Sequence, residues 1–137
     1  MISRKKMLQT SALLAAGAIS SQLAAKTTSQ VNNAVSSSLD CIANARVCLN
    51  HCIEEMGKGN KTLYACSISV QEVVAGCEAF VALKSSGSEF SKEMAALCIK
   101  MCEKCEKECN KHAKHHQECA HCAQSCKKCI VDLKSVA

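Results

Sequence analysis

The 137-residue chain has no proline and no tryptophan, and only one tyrosine, two phenylalanines and five glycines. A loop-rich disulfide scaffold relies on proline and glycine at its turns, so their scarcity argues against that class despite the high cysteine content. The shortage of aromatics leaves a thin apolar core: hydrophobic residues reach 48% only because cysteine is counted among them. The N-terminal apolar run is short too. The stretch Leu13 to Ile19 is weakly apolar and is bounded by Gln9, Thr10, Ser11, Ser20, Ser21 and Gln22, well short of the roughly 20 clean residues that span a bilayer.

Arg4, Lys5 and Lys6 precede that stretch, and Leu23-Ala24-Ala25 closes it with small residues. This is the layout of an export signal. Residues 1–25 are therefore predicted to be a removable targeting segment and 26–137 the functional domain, exported to the periplasm. Ser3-Arg4-Lys5-Lys6-Met7-Leu8 resembles a twin-arginine export motif with lysine at the second arginine. Losing the three cations takes the formal charge from +5 to +2. The remaining lysines alternate with glutamates, as in Lys104 to Glu108, which is a solvated helix face and not a nucleic-acid footprint. No stable membrane association is expected after signal removal.

What the chain has in abundance is cysteine. Thirteen are present, and within clusters the gaps are three, four or seven residues: Cys41, Cys48 and Cys52; Cys98, Cys102, Cys105 and Cys109; Cys119, Cys122, Cys126 and Cys129. Cys66 and Cys77 stand eleven apart. At about 100° per residue, each set falls within an arc of about 80° on a helix. Thiols occupy the stripe that leucines usually fill.

Alanine, lysine, glutamate, leucine, glutamine and methionine fill the intervals, and all are good helix formers. Four helices are predicted near 30–57, 61–84, 89–113 and 116–135. Gly57-Lys58-Gly59-Asn60 and Ser85-Ser86-Gly87-Ser88 combine a glycine stop with an Asn or Ser N-cap. The third join lies within His112 to Gln117. Short joins make neighbours antiparallel, so the fold class is all-α, an up-down-up-down four-helix bundle with a cysteine-lined core. That order gathers His51, Met56, His112, His115 and His116 at one end. Phe80, Leu83, Phe90, Met94, Ile130 and Leu133 gather at the other as apolar plugs.

Cysteine can act as a small hydrophobe, but four such faces, with Ala34, Ser37, Ser38 and Ala45 beside them, would enclose a loosely filled tube. Disulfides between near neighbours on one helix are disfavoured, because residues three or four apart hold their Cβ atoms about 5–6 Å apart where a disulfide wants about 3.8 Å. Cross-helix disulfides remain open. Zinc wants discrete four-ligand sites and leaves a charge of about −2 on four thiolates. An iron–sulfur cluster fits poorly, since the gaps from Cys119 to Cys129 come in the wrong order and a continuous helix cannot wrap four ligands around one cube. Cu(I) is soft and accepts two or three thiolates, and one Cu⁺ per thiolate is neutral overall. The stripe thus predicts a row of many Cu(I) ions bound by all thirteen cysteines.

Cys48-Leu49-Asn50-His51-Cys52, the spacing from Cys66 to Cys77, Cys98-x₃-Cys102-x₂-Cys105-x₃-Cys109 and Cys119-x₂-Cys122-x₃-Cys126-x₂-Cys129 together resemble the bacterial copper storage proteins over nearly the whole mature chain. The resemblance implies a thiolate-lined four-helix bundle holding many Cu(I) ions, assembled as a homotetramer, with copper entering at an end that bears His and Met. His51 then corresponds to a mouth ligand, and Met56, His112 and His115 are further candidates. His115 extends the helix 4 stripe if that helix starts early enough, and His112 lies at the edge of the helix 3 stripe. His121 falls off its stripe and is predicted to face solvent, while Met94 and Met101 read as core filler.

The favoured class is a non-enzymatic binding and storage protein. The competing class is a thiol–disulfide redox protein, which needs one exposed thiol of low pKa with a resolving partner in place of an evenly filled lumen.

Overall fold

The computed structural model describes residues 13–137, with side chains from Ile19 onward. The cationic n-region and the twin-arginine-like motif lie outside the described residues. Four α-helices make up the fold: α1 Leu13–Gly57, α2 Tyr64–Ser85, α3 Ser91–Asn110 and α4 Gln117–Lys134, with a 3₁₀ turn at Lys61–Leu63 leading into α2. Each helix packs against its chain neighbour, and α1 also packs against α4, which closes the ring. The bundle has the predicted antiparallel order.

The joins work as the sequence implies, with shifts of one to three residues. Gly87, at φ +69°, turns the chain after α2, and the Ser88 amide reaches back to the Leu83 carbonyl at 2.9 Å. An L side chain in that left-handed conformation would be strained, which is why glycine stands there. Asn60 caps the 3₁₀ turn, accepting the Thr62 amide on its side-chain oxygen. The third join is Lys111–His116, so α3 ends three residues earlier than predicted and α4 starts one later.

Two expectations fail. Phe90 is no plug: it is 61% exposed, because α3 begins at buried Ser91 and the residue before it points outward. Helix α1 starts at Leu13, not near residue 30, and runs 45 residues without a break through Ala25. At 1.5 Å per residue it is about 67 Å long, whereas the other three need only about 27–33 Å. Residues 19–29 are accordingly exposed, and the first buried position among the described side chains of α1 is Ala34.

Below that point the core is largely sulfur. All thirteen cysteines have no exposed surface, and the hydrocarbon beside them is Leu63, Val70, Val73, Phe80, Ala95, Ile130 and Leu133. Phe80, Ile130 and Leu133 close one end as predicted; Met94 and Met101 pack half-buried against the core. Burial of such side chains contributes about 1.5–3 kcal/mol each for the larger ones. Outside, Lys104 bonds Glu72 at 2.7 Å to tie α3 to α2, and Arg46 pairs with Glu78 to tie α1 to α2.

Candidate metal centre

Antiparallel register converts the cysteine spacings into facing pairs. On α1 and α4 the seven-residue gap from Cys41 to Cys48 matches that from Cys119 to Cys126. The sulfurs meet accordingly, Cys41 with Cys126 at 3.7 Å and Cys48 with Cys119 at 3.7 Å. On α2 and α3 the gap of eleven from Cys66 to Cys77 recurs from Cys98 to Cys109. There Cys77 meets Cys98 at 3.2 Å and Cys66 meets Cys109 at 3.4 Å. Cys105 bridges the pairs, lying 3.8 Å from both Cys109 and Cys122.

These pairs merge into compact sulfur groups. Cys41, Cys77, Cys102 and Cys129, one from each helix, have all four Sγ atoms within 4.8 Å of one another, and so do Cys48, Cys52, Cys66 and Cys119 nearer the other end. Two three-sulfur groups, Cys48/Cys109/Cys122 and Cys105/Cys122/Cys126, lie between them. Every thiol is free. Cys98 joins the deep group through Cys77. Cys41 and Cys77 thus lie in the deep group, each within 4.8 Å of three other sulfurs.

Hydrogen bonding among thiols divides them by proton affinity. Bonds from Cys102 and Cys126 hold Cys41 down to about 5, against an ordinary 9.0. Cys129 is pushed down by Cys102 and Cys41 in the same group, while Cys77 is pushed up by its bonds to Cys102 and Cys129. Near the histidines, bonds from Cys119 and Cys48 push Cys52 down. A thiolate is stabilised by S–H groups aimed at it, and each donor then keeps its own proton more tightly. Within each four-sulfur group the thiols thus differ in how tightly they hold their protons, which metal binding would release.

The end where α1 finishes and α4 starts carries nitrogen and oxygen donors. His51 Nε2 lies 2.8 Å from His116 Nδ1, and His51 Nδ1 lies 3.5 Å from Glu118 Oε2. The His112 ring sits 6.3 Å from that of His116. His51 and Met56 are half-buried, Met56 against the sulfur core. His115 is a correction: α4 begins at Gln117, so His115 lies exposed in the turn and does not extend the stripe. Its neighbour His116, in extended conformation as the α4 N-cap, is the residue that turns inward. Neither His116 as a donor nor Glu118 is legible from helical phase, because both depend on where an unmarked turn ends. His121 is exposed, as predicted.

Residues 27–137 match the copper storage protein family. The fold is similar to the solved Cu(I)-bound copper storage protein BsCsp3, at 30% identity and TM-score 0.72, covering 79% of this chain and 98% of that one. It is also similar to apo copper storage protein 3 from Bacillus subtilis, at 30% identity and TM-score 0.69, over 77% of this chain and 97% of that one. No curated protein matches the sequence.

Proposed function

The chain belongs to the copper storage protein family, and on that premise we propose that it stores multiple Cu(I) ions on the thirteen thiols of its lumen, entering at the histidine end. The observation that carries this is the continuous file of buried free sulfurs, each within 3.8 Å of at least one other or grouped within 4.8 Å. Cu(I) accepts two or three thiolates, and facing pairs from adjacent helices supply them. Each ion displaces about one thiol proton, so the filled lumen stays near neutral and escapes the cost of burying isolated charge. Loading also fills space between small side chains, so it should stiffen the bundle.

At the mouth, His51 and His116 offer two adjacent imidazoles and Met56 a thioether, next to the lowered thiol of Cys52. These donors hand an incoming ion to the first sulfur group. The His112 ring stands 6.3 Å from that of His116 and joins the same cluster of donors. We read the role as binding: the lumen offers each ion its ligands.

Two finer points belong to the same reading. The segment before residue 26 is removed on export to the periplasm; support comes from the exposed, core-free helix over residues 19–29 and a family match that starts at residue 27. Crossing as a folded protein would keep the buried thiols from oxidation. The protein isolated from that compartment should start near Lys26, and an intact Met1 there would contradict the assignment. Assembly as a homotetramer is supported by apolar side chains on the outer faces of α1 and α2, with Leu39, Val47, Ile53 and Tyr64 each more than half exposed.

Titration of reduced protein with Cu(I) against a strong chromophoric chelator tests the function. Many ions per chain should bind before the chelator colours. A plateau at or below about two per chain, the number a single mouth site could hold, ends the storage reading.

A further inference from the structure

The α2–α3 hairpin carries a feature that copper binding alone does not require. Its two cysteine pairs are the shortest sulfur contacts in the lumen, 3.2 Å for Cys77–Cys98 and 3.4 Å for Cys66–Cys109, whereas the α1–α4 pairs stand at 3.7 Å. Both short pairs join opposite helices at one antiparallel register. Cys66 and Cys77 are the only cysteines of α2, so every thiol of that helix has a dedicated partner on α3.

The helices are drawn together at the inner pair by Gly76. A Cβ placed there would lie 2.5 Å from Met101 Sδ and 3.7 Å from Cys98 Sγ. The missing side chain lets α3 close on α2 beside Cys77. Gly76 is buried inside a helix and has no left-handed backbone conformation to explain it, so close approach is its physical role. Pairs on one helix, such as Cys105–Cys109 at 3.8 Å, lack the Cβ geometry for a disulfide.

We propose that the copper-free protein has a second covalent state in which peroxide closes two cross-helix disulfides, Cys66–Cys109 and Cys77–Cys98, locking the α2–α3 hairpin and lowering copper capacity. In each pair one thiol attacks an oxygen of hydrogen peroxide as its proton passes to the leaving hydroxide, giving a sulfenic acid and water. The partner thiol then displaces water from the sulfenic sulfur as the S–S bond forms. The balance is two thiols and one peroxide to one disulfide and two waters, with two electrons passing to the peroxide. Peroxide is small enough to enter a lumen whose sulfurs are all shielded from solvent, and Cys66 and Cys109, in the first turn of α2 and the last of α3, lie near the histidine end.

The consequence for storage is larger than the thiol count. Cys77 belongs to the deep four-sulfur group, Cys66 to the one near the histidines and Cys109 to a three-sulfur group, so three of the four groups lose a ligand. Oxidation thus gates the site, and Cu(I) already on the sulfurs blocks oxidation. This consequence rests on the storage reading; the disulfide pairing does not.

The test treats copper-free, reduced protein with two equivalents of hydrogen peroxide per chain, maps disulfides by peptide mass spectrometry, and then titrates with Cu(I). The expected result is the two named disulfides and a loss of roughly a third of the capacity, as four of thirteen thiols are consumed; protein preloaded with Cu(I) should show neither. Gly76→Ala should slow closure of Cys77–Cys98 but leave Cys66–Cys109 unaffected. If that variant fails to fold, Cys98→Ser serves, and should still form Cys66–Cys109 alone. Disulfides spread over other pairs, or none, would overturn the proposal. If the named pairs form but the reduced protein binds no more than two Cu(I), the storage reading fails and the disulfide assignment stands.

Discussion

Ser38 sits where the α1–α4 ladder of sulfurs calls for one more rung. Its Oγ lies 3.5 Å from Cys129 Sγ, continuing the register that pairs Cys41 with Cys126 and Cys48 with Cys119, and the residue has no exposed surface. Ser38→Cys should therefore add a fourteenth lumen thiol. The hydroxyl now donates to the Ala34 carbonyl at 2.8 Å, a bond whose loss costs about 1 kcal/mol. That carbonyl keeps its helical backbone partner, and the less polar thiol regains a similar amount from burial. The net change in stability should stay within about 1 kcal/mol, a shift of a few degrees in Tm. With about one Cu(I) per thiolate, capacity should rise by about one ion per chain in the chelator titration. Leu39→Cys is the control: the next residue along is 51% exposed, so its thiol faces water and should add nothing at lumen affinity. The reasoning is refuted if folded Ser38→Cys binds no extra copper, or if Leu39→Cys gains as much.

The mouth assignment predicts a split between rate and capacity. His51→Ala and His116→Ala should slow Cu(I) uptake by about tenfold in stopped-flow mixing with unchanged final stoichiometry. His115→Ala should load at the normal rate; a slow His115→Ala would restore the sequence-based placement. The copper-free, reduced protein should also show a stability maximum near pH 9. Cys41, held at about 5 against 9.0, contributes stability that is complete above pH 9 and is lost as pH falls toward 5. Cys77, Cys102 and Cys109, pushed up by bonds to neighbouring thiols, contribute stability that is present below pH 9 and lost as pH climbs beyond it, where the unfolded chain ionises. Anaerobic denaturant melts at pH 6, 9 and 10 check this, and a curve without a maximum would contradict it.

Helical phase was enough to place all thirteen cysteines. A spacing of three, four or seven residues puts side chains on one face whatever the context, so the row survives errors in helix boundaries. Phe90 and His115 show where that reasoning stops. Each lies within a residue or two of a helix end, where one residue of slip rotates the side chain by about 100°. The Lys111–His116 turn has no glycine or proline to mark it, so His116 and Glu118 could not be told from their neighbours.

By itself, then, the sequence determined the all-α class, the antiparallel order and the convergence of thirteen thiols on one axis, because all three follow from local periodicity and short joins. Only the tertiary structure decided which sulfur faces which: the close α2–α3 pairs at Gly76, the one-from-each-helix group of Cys41, Cys77, Cys102 and Cys129, and the inward turn of His116. Those depend on the distance and register between helices, which packing sets and no single helix encodes.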